Sequence, residues 1–278
     1  MSSSTGKIWP RIAYACGTFG HDVFYAMLAT YFMIFVTSNL FNSGNASHDQ
    51  YMIGIVTTII LVLRIAELFV DPFIGNIIDK TKTRWGRFKP WVIVGAFVAA
   101  ITLAFLFTDF GGLALTNPTL YLILFAIVYF IMDIFYSAKD VAIWSMIPAL
   151  SFDSHEREIT ATVARIGSVF GANLVTVIVM PVVLYFSVNQ NGGAGDPTGW
   201  FAFACIGGGI ATLGAIILGI GTKEQDSALR ENKTDTSAKD VFKVLTQNDQ
   251  LLWTAIAYLV YGIGINIVNN SNFPHAKH

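Results

Sequence analysis

The chain has 278 residues, 54% of them hydrophobic and only 13% charged, and a formal net charge of −1. A soluble core does not need that much apolar sequence, so an all-α membrane protein is expected, and the lack of a basic excess argues against a nucleic-acid partner. The two cysteines, Cys16 and Cys205, fall in separate apolar stretches without metal or redox spacing and read as small buried apolar residues.

Apolar runs long enough to cross about 30 Å of hydrocarbon lie at 12–39, 51–79, 90–108, 119–148, 160–187, 200–221 and 251–268. The first is too long for a cleaved signal and continues into a second span, so it should remain as an anchor. It carries Tyr14, Thr18, Asp22 and Tyr25 on one helical face. The second carries Arg64, Glu67 and Asp71 at spacings of three and four, again one face. Pro72 cannot donate to the Leu68 carbonyl and is expected to kink the helix beside these acids.

The turn after span two holds Lys80, Lys82, Arg84, Arg87 and Lys89, whereas the loops at 40–50, 109–118 and 188–199 have no Lys or Arg. With Arg157 in the loop 149–159 and Lys223, Arg230, Lys233, Lys239 and Lys243 in 222–250, the basic residues place the amino terminus, with Lys7 and Arg11, on the cytoplasmic side. Pro90 opens span three, where a first-turn proline costs little. Span four has one polar and aromatic stripe of Tyr129, Asp133, Tyr136, Ser137, Asp140 and Trp144. In span five Gly167 and Gly171, and in span six Gly207 to Gly209, are expected to make close helix contacts, and Pro181 a second bend.

Residues 1–221 therefore form a six-helix bundle and 222–250 a cytoplasmic linker, with a short amphipathic helix expected at Ala238 to Leu245. A seventh helix begins at Leu251 and runs into a polar tail ending at His278. The His155-Glu156-Arg157-Glu158 run lacks the second histidine of a zinc motif and reads as a solvated loop. No metal or other cofactor is expected. Asn191 to Asp196 is expected to be an external turn, and Asn45-Ala-Ser47 fits a glycosylation acceptor only formally.

The charges inside the spans are Asp22, Arg64, Glu67, Asp71, Asp133, Lys139, Asp140 and Arg165, five acids against three bases. Two surplus carboxylates leave room for a bound cation or proton. Asp22, Asp71 and Asp140 each lie eight to ten residues from the inner ends of their helices, roughly 12–15 Å deep at 1.5 Å per residue. That depth is where secondary transporters hold substrate and ion. The alternative is that these acids simply pair with Arg64, Lys139 and Arg165 to hold the bundle together.

The turn Gly75, Asp79, Arg84, Gly86 and Arg87 resembles the cytoplasmic loop of the major facilitator superfamily, in which an acid and arginines clamp helix ends. The longer pattern from Asp71 through Gly75, Asp79 and Gly86-Arg87-Phe88-Lys89-Pro90 resembles that of the glycoside/pentoside/hexuronide:cation symporters. Phe19 to Tyr25, Lys139 to Pro148 and Asp153 to Glu158 extend the resemblance toward the galactoside permeases of bacterial cell membranes. It implies that Asp22 and Asp140 bind galactosyl hydroxyls, with Trp144 stacking on the ring, Arg165 hydrogen-bonding it, and His21 and Tyr136 lining the pocket. It implies that Glu67 and Asp71 hold the coupling cation, with the Ser137 hydroxyl beside them.

Sodium-using members carry Asp-x-x-Asn-Asp where this chain has Glu67-Leu-Phe-Val70-Asp71. The missing amide oxygen favours H⁺ over Na⁺ as coupling ion, because a proton needs an acid and no cage of oxygens. The family has about twelve spans in two halves, so the chain reads as an amino-terminal portion left by a premature stop, a frameshift or a deliberate cut. Such a fragment would stay inactive until a separate carboxy-terminal half joined it. The remaining reading, an intramembrane enzyme using Glu67 and Asp71, lacks a nucleophile beside a base, so no enzyme is expected.

Overall fold

The computed structural model describes residues 5–41, 44–225 and, between 248 and 264, all but 251, 255, 258, 259, 262 and 263. The chain divides into two units, Met1–Gln225 and Asp226–His278. In the second, the described residues from 249 to 264 are helical. The expected amphipathic helix at 238–245 and the polar tail lie outside the described residues, as does part of the seventh span.

The first unit contains six helices long and apolar enough to cross a membrane, and among the described residues the one β-type contact is an isolated bridge between Thr83 and Gly86. Helix α1 (Thr5–Ala26) continues through a π-helical turn (Met27–Tyr31), a short α2 (Phe32–Phe35) and a second π turn (Val36–Leu40). Together they form one span, Ile8–Leu40. It is followed by α3 (Ala46–Lys80), α4 (Lys89–Leu106), a single turn α5 (Leu113–Thr116), α6 (Pro118–Leu150), α7 (Ser154–Phe186) and α8 (Pro197–Gly221). Pro72 lies within one continuous α3, and Pro181 within one continuous α7.

Side-chain caps start the helices where the sequence supplies them. Asn45 accepts from the His48 amide at 3.4 Å, so the residue of the formal glycosylation triplet opens α3. Asn117 caps α6, and Asp153 accepts from the His155 amide at 3.0 Å to open α7. The His155–Glu158 run is thus the first turn of a helix and not a solvated loop, and Glu156 is paired with Arg11 of α1. An Asp cap and an acid in the first turn both complement the helix dipole.

α1 packs on α7 and α8, α4 on α6 and α8, and α3 on α6. The α1 contacts are close because glycines line them. A Cβ on Gly167 would run into the Ala15 carbonyl, one on Gly171 into the Phe19 carbonyl, and one on Gly20 would come within 2.9 Å of α8 backbone. Thr18 Oγ1 donates to the Ala164 carbonyl at 2.8 Å and the Tyr14 hydroxyl to the Ile143 carbonyl, which fixes α1 against both α7 and α6. Gly207 and Gly208 make the expected close contacts, with Met27 and Ala100, whereas Gly209 has open space. Cys205 is exposed and Cys16 half-buried, so the expectation of two buried cysteines fails. A small apolar side chain is equally at home against lipid.

One core cluster is aromatic, with Phe32, Phe35, Phe107, Phe125, Trp200 and Phe203 in mutual ring contact. A second cluster, around Tyr14, Val92, Ala142 and Met146, is made of smaller residues. At the start of α8, Asp196 Oδ1 accepts from the Gly199 amide at 3.0 Å, and Oδ2 accepts from Val188 and Asn189 at 2.8 and 3.0 Å. Burial pushes this carboxyl up, but the hydrogen bonds outweigh it and hold it below the usual carboxylate range.

Two outcomes follow from this packing. Gly171→Val should destabilise the bundle by about 1–3 kcal/mol through overpacking, while Gly209→Val should leave it nearly unchanged, as read by thermal unfolding in detergent. Asp196→Ala should lower stability at neutral pH by about 1 kcal/mol. Because the folded-state pKa of Asp196 is depressed, that difference is full above the unfolded value of about 3.9 and disappears as pH falls through the folded value. Equal melting of the two chains at every pH would contradict it.

Candidate functional site

The polar stripe of α6 organises two clusters. Tyr129, Asp133, Tyr136 and Ser137 are buried, and Asp140 and Trp144 are half-buried, so the spacing of three and four does mark the face turned toward the other helices.

The first cluster joins α1, α6 and α7. His21 Nε2 lies 3.0 Å from Asp140 Oδ1, which also accepts from Trp144 Nε1 at 2.9 Å. The Tyr136 hydroxyl is 3.2 Å from the same His21 nitrogen, and the two rings stack at 5.2 Å. With its proton on Nε2, the imidazole donates to the carboxylate. The Asp140 side chain remains 42% exposed, which leaves lone pairs open to hydroxyl donors. Arg165 is exposed, and its guanidinium carbon sits 4.5 Å from the centre of the Trp144 ring, a cation–π contact. Asp22 is half-buried, and its Oδ2 has no hydrogen-bond partner among the described residues. Five of the six residues expected to bind sugar thus form one chain of contacts from Arg165 to Tyr136. Asp22 adjoins it electrostatically, through His21 and Lys139.

Lys139, 1% exposed, has its ammonium over the rings of Phe24 and Tyr136 at 4.9 and 5.1 Å. The sequence counted it only as a charge; its place between two aromatic faces depends on helix rotation, which no local pattern gives.

The second cluster joins α3 and α6. The Ser137 hydroxyl donates to Asp71 Oδ1, and Arg64 Nη1 donates to Glu67 at 2.8 Å. The same Arg64 nitrogen is 3.3 Å from Asp133 Oδ1. Glu67, Val70, Asp71, Asp133 and Ser137 line a cleft of ≈ 10 Å³, about the space of one water-sized body and far too small for a sugar. Among the described residues no set of three His, Cys, Asp or Glu is arranged to hold a metal ion. Of the three bases, Arg64 makes direct ion pairs with acids, Lys139 acts on Asp140 and Asp22 electrostatically from between two aromatic rings, and Arg165 lies over the Trp144 ring.

At the carboxy-terminal end of α3, Asp79 pairs with Arg87 at 3.5 Å, Arg84 is exposed, and Gly75 has open space where a Cβ would go. The turn itself is held by a residue the sequence did not single out. Glu224 accepts from the amides of Arg87, Phe88 and Lys89 at 2.7, 3.1 and 3.1 Å, and thereby caps the start of α4. Gly86 is required there. Its φ is +114°, and a Cβ would come within 2.5 Å of the Glu224 carboxyl. An acid just beyond a span and opposite a basic turn was a usable signal.

Comparison with known proteins adds to this geometry. The profile of the MFS/sugar transport protein family matches residues 13–273. The chain is 54% identical over 263 residues to a lactose permease of Lactobacillus delbrueckii subsp. bulgaricus, which covers 95% of this chain and 41% of that protein. It is also 54% identical to a raffinose carrier protein of Pediococcus pentosaceus, over 94% of this chain and 41% of the relative. To a lactose permease of Leuconostoc lactis it is 41% identical, over 99% of this chain and 43% of the relative. The chain thus spans about two fifths of the length of these relatives.

Loss of the Glu224 cap should be visible locally. Glu224→Ala should raise hydrogen exchange at the amides of residues 87–89 by at least about tenfold, since each loses its acceptor, with the centre of α6 unchanged. Unaltered exchange at 87–89 would show that another group satisfies these amides.

Proposed function

Because the chain belongs to the MFS/sugar transport protein family, we propose that it carries the sugar-binding and ion-coupling residues of a galactoside:proton symporter of a bacterial cell membrane. The observation that carries the proposal is the pair of adjacent but distinct clusters on one face of α6. One has an exposed carboxylate beside an indole; the other is a cleft the size of a water molecule between acids.

In this reading Asp140, oriented by His21 and Trp144, accepts hydrogen bonds from two sugar hydroxyls. The carboxylate of Asp22, with an oxygen free of partners among the described residues, takes a further one. Trp144 covers the apolar face of the galactosyl ring. Arg165 already lies over one face of that indole, so the sugar either uses the opposite face or moves the guanidinium aside and takes hydrogen bonds from it. Tyr136 closes the pocket behind His21. Glu67 and Asp71 exchange the coupling proton, with Ser137 holding Asp71 in place. Val70 brings no oxygen to the cleft, which favours H⁺ over Na⁺.

Alternating access needs two halves rocking about a shared site. The relatives' greater length supports a role for this chain as the amino-terminal portion of such a transporter, with its amino terminus in the cytoplasm. The relatives are named as permeases and a carrier, which supports transport over catalysis.

The test is uptake of labelled lactose in cells lacking their own transporter, with this chain expressed together with the remaining segment of the Lactobacillus delbrueckii relative. Uptake should appear only with both segments. Asp22→Asn, Asp140→Asn and Trp144→Leu should each reduce it by at least about tenfold, the loss expected for a buried charged or aromatic contact. Normal uptake by all three variants would rule out the assigned sugar site.

A further inference from the structure

Asp133 belongs to neither assigned set, yet it is the most buried carboxylate among the described residues, 4% exposed. Its Oδ1 has no hydrogen-bond donor among the described residues. It lines the cleft with Glu67 and Asp71 and sits 3.3 Å from the Arg64 nitrogen that donates to Glu67 at 2.8 Å. One guanidinium nitrogen of α3 is therefore shared unequally between an acid on its own helix and an acid on α6.

We propose that Asp133 is the third carboxylate of the cleft and a positioning residue that receives Arg64 when Glu67 takes up its proton. This rests on the reading of Glu67 and Asp71 as the coupling pair.

The reason is electrostatic. When the Glu67 carboxylate gains a proton from solution it becomes neutral, and the half-buried Arg64 loses the shorter of its two ion pairs. A cation within a membrane span is destabilised when a partner carboxylate is neutralised. Asp133 Oδ1 has no donor among the described residues and already lies 3.3 Å from the guanidinium nitrogen, so Arg64 needs only a small swing to complete that pairing. The cleft gains one proton, Arg64 stays cationic, and the ion pair passes from within α3 to between α3 and α6. Proton uptake would thereby change how two helices are tied together. The other titratable groups facing this spot are Asp71 on α3, which acts electrostatically on Asp133, and Tyr129 on α6, which interacts with both Arg64 and Asp133. Ser137 engages Asp71, so Asp133 is the acid left for Arg64.

The experiment uses the chain purified into lipid nanodiscs and dicyclohexylcarbodiimide, which modifies protonated carboxyls in apolar surroundings. The labelling rate at Glu67 is read by peptide mass spectrometry at neutral pH. Asp133→Asn should slow it by at least about threefold, the lower range of coupling within one ionic network, because Arg64 is then left to Glu67 alone. Asp133→Glu should restore the parent rate, and in an Arg64→Gln background Asp133→Asn should no longer slow labelling. Unchanged or faster labelling in Asp133→Asn would overturn the proposal. So would equal slowing with and without Arg64, which would be simple charge repulsion, or no labelling of Glu67 in the parent. If Asp133→Asn does not fold, Arg64→Gln decides alone: labelling should rise at both Glu67 and Asp133, and a rise at one or neither overturns the proposal. Labelling does not require a sugar, so loss of galactoside uptake would remove the transport reading without touching this result.

Discussion

A carboxylate placed in the apolar thickness of a membrane must be met by a cation, a donor or a proton, at a cost of roughly 2.5–3.5 kcal/mol when inserted in a helix centre. The arrangement of this chain follows from how that demand is met. Asp140 is met by His21 and Trp144, Asp71 by Ser137, and Glu67 by Arg64. Among the described residues Asp133 Oδ1 has the longer approach to Arg64 and no donor, and Asp22 keeps an oxygen without a partner. The satisfied acids fix geometry, and the under-satisfied ones are where a ligand or a proton has most to gain. The two clusters lie along one face of α6, within about two helical turns, so the proposed sugar and ion sites share one helix.

The scaffold supports the two clusters unequally. α1 is locked into α7 and α8 by glycine-lined contacts, and Thr18 and Tyr14 bond to backbone carbonyls of α7 and α6. His21, one turn further along α1, is thus held at Asp140 by packing as well as by its own hydrogen bond. α3 packs on α6, and Leu61, Ile65, Phe69 and Phe73 of α3 are exposed. The acids of the proposed coupling pair therefore stand on the least enclosed of the spanning helices. A helix with few packing constraints is suited to moving when its ion pairs change.

Much of this was legible from residue spacing. The six spans, the polar stripe of α6, the close contacts of Gly167 and Gly171 and the shared face of Glu67 and Asp71 all follow from the helical period and from residue size, whereas the place of Ser137 beside those acids was implied only by the family resemblance. What spacing could not give was partner choice across helices. Arg64 was seen beside Glu67 because both are on α3, but its approach to Asp133 depends on how α3 and α6 are rotated against each other. Lys139 is adjacent to Asp140 in sequence, yet its ammonium lies over aromatic rings. The cap of α4 comes from Glu224, over 130 residues away. The His155–Glu158 run was misread because Asp153 was not recognised as a helix cap, and Cys205 because an apolar residue in a membrane helix is as stable facing lipid as facing the core.

The central claim is that sugar and proton occupy separate stations joined by α6. It is tested most directly by adding lactose to de-energised cells expressing the two-segment transporter and recording the external pH together with exchange of labelled for unlabelled lactose. The account predicts that lactose makes the medium alkaline, that Asp71→Asn abolishes this while exchange continues, and that Asp140→Asn abolishes both. Loss of exchange in Asp71→Asn, or lactose entry that depends on sodium and leaves external pH unchanged, would contradict it.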